Sequence, residues 1–158
     1  MFRFDPRSIA VGALALSAAM TTAFWLDRMA GPAQAAEPAA RVARADDGHY
    51  WARASIEGQA VDLMVDTGAS LVVLTRADAE RLGYRLDEAD FSLRLNTASG
   101  AVAAAPIRLA SIDVGSARVE RVAALVAADG LPHSLLGMSY LGRLSGFEAT
   151  PRALTLRG

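Results

Sequence analysis

Val61-Asp62-Leu63-Met64-Val65-Asp66-Thr67-Gly68-Ala69-Ser70-Leu71-Val72-Val73-Leu74 sets one short polar segment between two apolar runs. Such runs, rich in Val and Leu and separated by turn-forming residues, read as two buried strands joined by a tight turn. The turn opens on the carboxylate of Asp66. An ionisable group between buried strands loses hydration, a cost that is offset only if the group is hydrogen-bonded or put to use. Asp66 is therefore the first candidate functional residue. The same residues also suit an ordinary Asx-type turn in which Gly68 supplies a positive φ.

Downstream of this segment, Thr75 can cap a helix with Asp78 at its N3 position. Ala77, Ala79, Glu80 and Arg81 favour that helix and Gly83 ends it. The rest of the stretch from His49 to Gly158 is broken by turn signals at Glu57-Gly58-Gln59, Ala98-Ser99-Gly100, Val114-Gly115-Ser116 and Asp129-Gly130-Leu131-Pro132. Between them lie short alternating runs such as Phe91 to Asn96 and Leu154 to Arg157, with the period of two that strands require. The domain is expected to be mainly β, with a second short helix from Met138 to Leu144. Ser134-Leu135-Leu136-Gly137-Met138-Ser139 echoes the turn at Gly68, with Gly137 lying 69 residues later.

Upstream, Ile9 to Leu26 is an uncharged run of 18 residues, preceded by Arg3 and Arg7. At the helical rise it would extend roughly 27 Å, enough to cross a bilayer core with its N-terminus in the cytoplasm. The alternative is a signal peptide removed near Ala35, after Ala33-Gln34-Ala35. Residues 29–47 are rich in Ala and Pro without apolar periodicity and read as a linker. The expected organisation is thus an anchor or signal over 1–28, a linker over 29–47 and a folded domain over 48–158.

Composition narrows the chemistry. Of 158 residues, 16 are basic and 17 acidic, for a formal net charge of -1, which leaves no electrostatic footprint for nucleic acid. The basic residues are all Arg, so Schiff-base and Walker-type lysine chemistry are excluded. Cysteine is absent, excluding thiol nucleophiles, disulfides and zinc-finger sites. His49 and His133 are not spaced as metal ligands and neither has a sequence relation to Ser70 that would suggest a serine hydrolase.

Several ordered cues together carry a resemblance: Gly48-His49-Tyr50, Val65-Asp66-Thr67-Gly68-Ala69-Ser70, Arg81-Leu82-Gly83, Thr97-Ala98-Ser99-Gly100 and Leu135-Leu136-Gly137-Met138-Ser139-Tyr140-Leu141. In this set the chain resembles a retropepsin-like aspartic protease protomer, and more closely the bacterial membrane-anchored single-domain family. The resemblance implies a closed, barrel-like β protomer with one or two short helices, preceded by a transmembrane helix. It implies Asp66 as the catalytic residue, with Thr67, Gly68, Ala69, Ser70 and Gly137 supporting the active-site loop. Thr97, Ala98, Ser99 and Gly100 would form a flap over the substrate. The chain holds one Asp-Thr-Gly motif, and the chemistry of the class needs two aspartates sharing a proton, so a homodimer is expected. Neither cofactor nor metal is implied. The expected partners are a second copy, a protein or peptide substrate and the inner membrane, with the domain in the periplasm trimming envelope proteins. The alternative function is a catalytically inactive dimerisation or peptide-binding module.

Overall fold

The computed structural model describes residues 39–97 and 100–158. The apolar segment over 1–28, its cleavage alternative near Ala35 and the flap residues Ala98 and Ser99 lie outside the described residues. Among the described residues no helix is long and apolar enough to cross a membrane.

The chain order is β1 (Ala39–Ala43), β2 (Trp51–Ile56), β3 (Gln59–Val65), β4 (Val72–Leu74), α1 (Arg76–Arg81), a 3-10 turn (Glu88–Asp90), β5 (Leu93–Thr97), β6 (Gly100–Val114), β7 (Ala117–Ala127), β8 (Leu135–Leu136), α2 (Met138–Leu141), β9 (Gly146–Ala149) and β10 (Ala153–Arg157). The larger sheet runs β2-β3-β8-β4-β7-β6-β5, and β6 also pairs with β2 through Ser55–Asp113 and Ile56–Ile112. That pairing closes β2, β3, β8, β4, β7 and β6 into a ring, so the expected barrel-like, mainly β architecture with short helices is what forms. Closure follows from the length of β6, whose 15 residues are enough to reach β5, β7 and β2 in turn.

The alternation visible in the sequence puts Ala52, Ala54, Ile56, Val61 and Leu63 inside the ring. Leu74, Leu109, Ile112 and Leu136 meet them there. Tyr140 is the largest fully buried side chain, and its hydroxyl donates to the Ala117 carbonyl at 2.8 Å. Burial pushes the phenol up to about 12, because ionisation there would strand a charge in the core.

α1 is capped as its sequence demands, the Thr75 hydroxyl accepting from the Asp78 amide at 3.1 Å, and Gly83 follows at φ +92°. α2 is shorter than expected, ending at Leu141 because Gly142 takes the C-cap and a Cβ there would press on the Met138 carbonyl.

The larger correction concerns the linker. Ala39–Ala43 is not linker but a strand, paired antiparallel along its whole length with β10, from Ala39–Arg157 to Ala43–Ala153. With β9 these form a second, three-stranded sheet. Ala40 and Val42 face the core, and Ala40 lies under the hairpin at Gly115, where an added Cβ would come within 2.9 Å. Alanine has little strand propensity, and the pairing partner lies at the far end of the chain, so no local pattern announces this strand. In the full chain, Val42→Ala should lower stability by about 2 kcal/mol while Arg41→Ala, on the exposed face, stays near neutral. Equal urea midpoints for the two variants would return the segment to the linker.

Candidate active site

Asp66 leaves the end of β3 with its backbone held on both sides. Its amide donates to the Leu136 carbonyl at 3.2 Å, and the preceding Val65 amide donates to Tyr50 at 2.9 Å. β8 is inserted between β3 and β4, parallel to the first and antiparallel to the second. The loop that carries Asp66 must therefore pass over the end of β8 to reach β4. Gly137 makes this crossing possible: a Cβ there would collide with the Leu71 carbonyl and sit 2.7 Å from that of Ala69. The next amide, Met138, donates to the Ala69 carbonyl at 2.8 Å.

Within the loop, the Gly68 amide donates to Asp66 Oδ1 at 2.8 Å, the Asx-type turn expected. Gly68 is not among the residues with positive φ. Its lack of a side chain serves proximity instead, since a Cβ would lie 3.1 Å from Asp66 Oδ1. Thr67 is exposed, and no hydrogen bond of its hydroxyl occurs among the described residues.

Two serines fasten the surrounding strands. Ser139 Oγ accepts from the Val72 amide at 2.9 Å and donates to the Ala123 carbonyl at 2.8 Å, tying β4 to β7. Ser134, almost wholly buried, accepts from the Thr75 amide at 2.9 Å and donates to the Asp78 carboxylate. Burial alone would raise Asp78, but hydrogen bonds from Ser134, Arg81 and Thr75 outweigh it and hold the carboxyl below its ordinary 3.8.

Asp66, Gly68, Ala69, Ser70 and Thr97 line one cleft of about 680 Å³. Its walls are apolar, from Met64, Leu71, Val73, Leu95, Leu125 and Leu135, and its far rim is Gly130 to His133. Asp66 is the one acidic residue lining it among the described residues. The hairpin of β5 and β6 stands where the flap was expected. Thr97 Oγ1 donates to the Gly100 carbonyl at 2.7 Å, and Gly100 is at φ +124°. Gly137 lies under the loop, and neither it nor Thr67 is among the cleft's lining residues.

Sequence reasoning missed the 130–133 rim. Trp51 Nε1 donates to Asp47 Oδ2 at 2.9 Å, and its ring meets that of His133 edge-on at 4.8 Å. The missed signal was the Asp129-Gly130-Leu131-Pro132 turn, which runs directly into β8 and so had to end beside Asp66.

A closed β ring with an aspartate on a loop crossing a buried glycine defines the retropepsin-like class of aspartic protease. The family described as "gag-polyprotein putative aspartyl protease" matches residues 52–143, and the chain belongs to it. Among solved structures, the chain is similar to a retropepsin-like aspartic protease from Rickettsia conorii, with 37% identity and a TM-score of 0.68, covering 75% of this chain and 98% of that one. It shares the fold of the EIAV protease complexed with the inhibitor HBY-793, at 21% identity and a TM-score of 0.50, covering 76% and 99%. Two uncharacterized proteins, one from a Sinorhizobium species and one from Rickettsia prowazekii, are each 38% identical over 70% and 73% of this chain. The chain spans about half the length of these curated relatives, 48% and 49%.

Two substitutions test this framework. Gly137→Ala should prevent the loop crossing and destabilise the fold by about 3 kcal/mol or more, read as a collapse of the thermal midpoint. Ser134→Ala removes a hydrogen bond that lowers Asp78. A depressed carboxyl contributes stability that is complete above 3.8 and is lost as pH falls through its lowered value. The variant should therefore be less stable at neutral pH and show a shallower loss of stability on acidification below about pH 4. An unchanged acid limb would refute the assignment.

Proposed function

We propose that the protein is an aspartic endopeptidase, active as a homodimer in which two Asp66 side chains form the catalytic pair. The observation that carries this reading is the placement of Asp66, the sole acidic lining residue among those described, in an apolar cleft beside a hairpin able to cover an extended peptide. One chain supplies one Asp-Thr-Gly motif, so the second carboxylate must come from a second copy. Exposed Thr67, adjacent to Asp66, is suited to that contact.

Two carboxylates held close share one proton, since like charges at such range cannot both ionise. The ionised one takes a proton from water as the water oxygen bonds to the peptide carbonyl carbon. The protonated one gives its proton to the carbonyl oxygen. Collapse of the resulting gem-diol breaks the C–N bond, with a proton passing to the leaving amine. Activity belongs at acidic to mildly acidic pH, where the pair retains its proton. Closing over a bound peptide, the hairpin would exclude water that would otherwise screen these charges.

The uncharged run from Ile9 to Leu26 behind Arg3 and Arg7 supports an inner-membrane anchor with the domain in the periplasm, and hence limited proteolysis of envelope proteins. In the full chain, Asp66→Asn should keep the fold and self-association while losing at least about a thousandfold in cleavage of a peptide library. Mixing wild type with excess Asp66→Asn should suppress wild-type turnover, because mixed dimers carry one competent carboxylate. Persistent cleavage by the variant, or turnover indifferent to mixing, would overturn the reading.

A further inference from the structure

His133 and Asp66 are the only titratable side chains lining the cleft among the described residues. The rest of the lining is uncharged, with Ser70, Asn96 and Thr97 as its polar members, so an acidic side chain of a bound peptide would meet no cation of this chain's described lining except at the rim formed by His133. This imidazole is exposed and makes no ion pair among the described residues. Its ring orientation is nevertheless set, since it stands at 84° to Trp51 with centroids 4.8 Å apart. Trp51 is itself immobilised by Asp47 at one end and by its pairing with Met64 in β3 at the other. Met64 in turn pairs with Leu135 of β8, two residues beyond His133. His133 is thus tied through Trp51 and the register of Met64 to the strands that supply Met64 and Leu135 to the cleft lining.

We propose that His133 is a specificity-determining residue that selects peptides bearing a carboxylate side chain where the substrate passes the 130–133 rim. The inference rests on the peptidase reading and deepens it by naming a substrate class. An imidazole carries positive charge only when protonated, so the preference should strengthen as pH falls. Other titratable groups on the elements around it are Asp66 across the cleft, Asp47 and His49 behind Trp51, and Asp129 on its own loop. His49 is paired with Asp47 at 3.6 Å.

The test compares peptides that differ only as Glu or Gln, placed in turn at each position flanking the bond cleaved by the full chain. Between pH 5.5 and 8 free glutamate stays ionised, and the titration of the catalytic pair cancels in the ratio of kcat/KM values for Glu and Gln peptides. At one position that ratio should rise about three- to tenfold from pH 8 to 5.5 for the wild type. It should be flat for His133→Gln and for His133→Phe, the latter keeping a ring against Trp51, and should persist in His49→Gln. A ratio flat at every position in the wild type, or one that survives in His133→Phe, would overturn the proposal while leaving the peptidase reading intact. Absence of cleavage of any peptide by the wild type would overturn that reading, and this inference with it.

Discussion

The backbone crossing at Gly137 is the constraint on which the rest of this structure depends. β3 and β4 are neighbours in sequence but not in the sheet, because β8 lies between them. The connecting loop must climb over the strand that separates its own ends, and it can do so only where that strand offers no side chain. The same crossing holds Asp66 at the cleft, since the carbonyls of Ala69 and Leu71 rest on Gly137 and the Leu136 carbonyl takes the Asp66 amide. Fold and site are therefore one arrangement, in which losing the glycine would remove both.

A crossing of this kind strands backbone polar groups, and the protein answers with hydroxyls. Ser139 serves an amide of β4 and a carbonyl of β7, and Ser134 serves the Thr75 amide and the Asp78 carboxylate. Buried polar groups left unpaired would each cost about 1–3 kcal/mol, a large fraction of a small domain's stability. Each serine flanks Leu135 to Met138, so the polar groups are satisfied at the same short segment that the crossing uses. Rigidity is the functional consequence: the carboxylate is presented from a loop with few alternatives.

Much of this was legible because local chemistry and fold agree. The capping of α1 by Thr75, the alternation in β2 and β3, the hairpin of β5 and β6 and the Asx-type turn at Asp66 all follow from short-range patterns. β1 escaped because an Ala-rich strand has weak propensity and its whole support comes from β10, at the opposite end of the chain. The ordinary-turn reading gave Gly68 a positive φ, whereas in the structure it is glycine for its closeness to a carboxylate oxygen, a distance no sequence displays.

By itself the sequence determined the chemistry available: one Asp-Thr-Gly turn, no lysine, no cysteine, and strands spaced for a small β domain. These depend on residue identity and nearest neighbours. Only the tertiary structure decided which distant groups meet that aspartate, because the cleft is assembled from β3, β4, β5, β7, β8 and the 130–133 rim. The convergence of Trp51, Met64, Leu135 and His133 likewise arises from the pairing of β2 with β3 and β3 with β8. Such long-range pairings are set by closure of the whole ring, and no single segment encodes them.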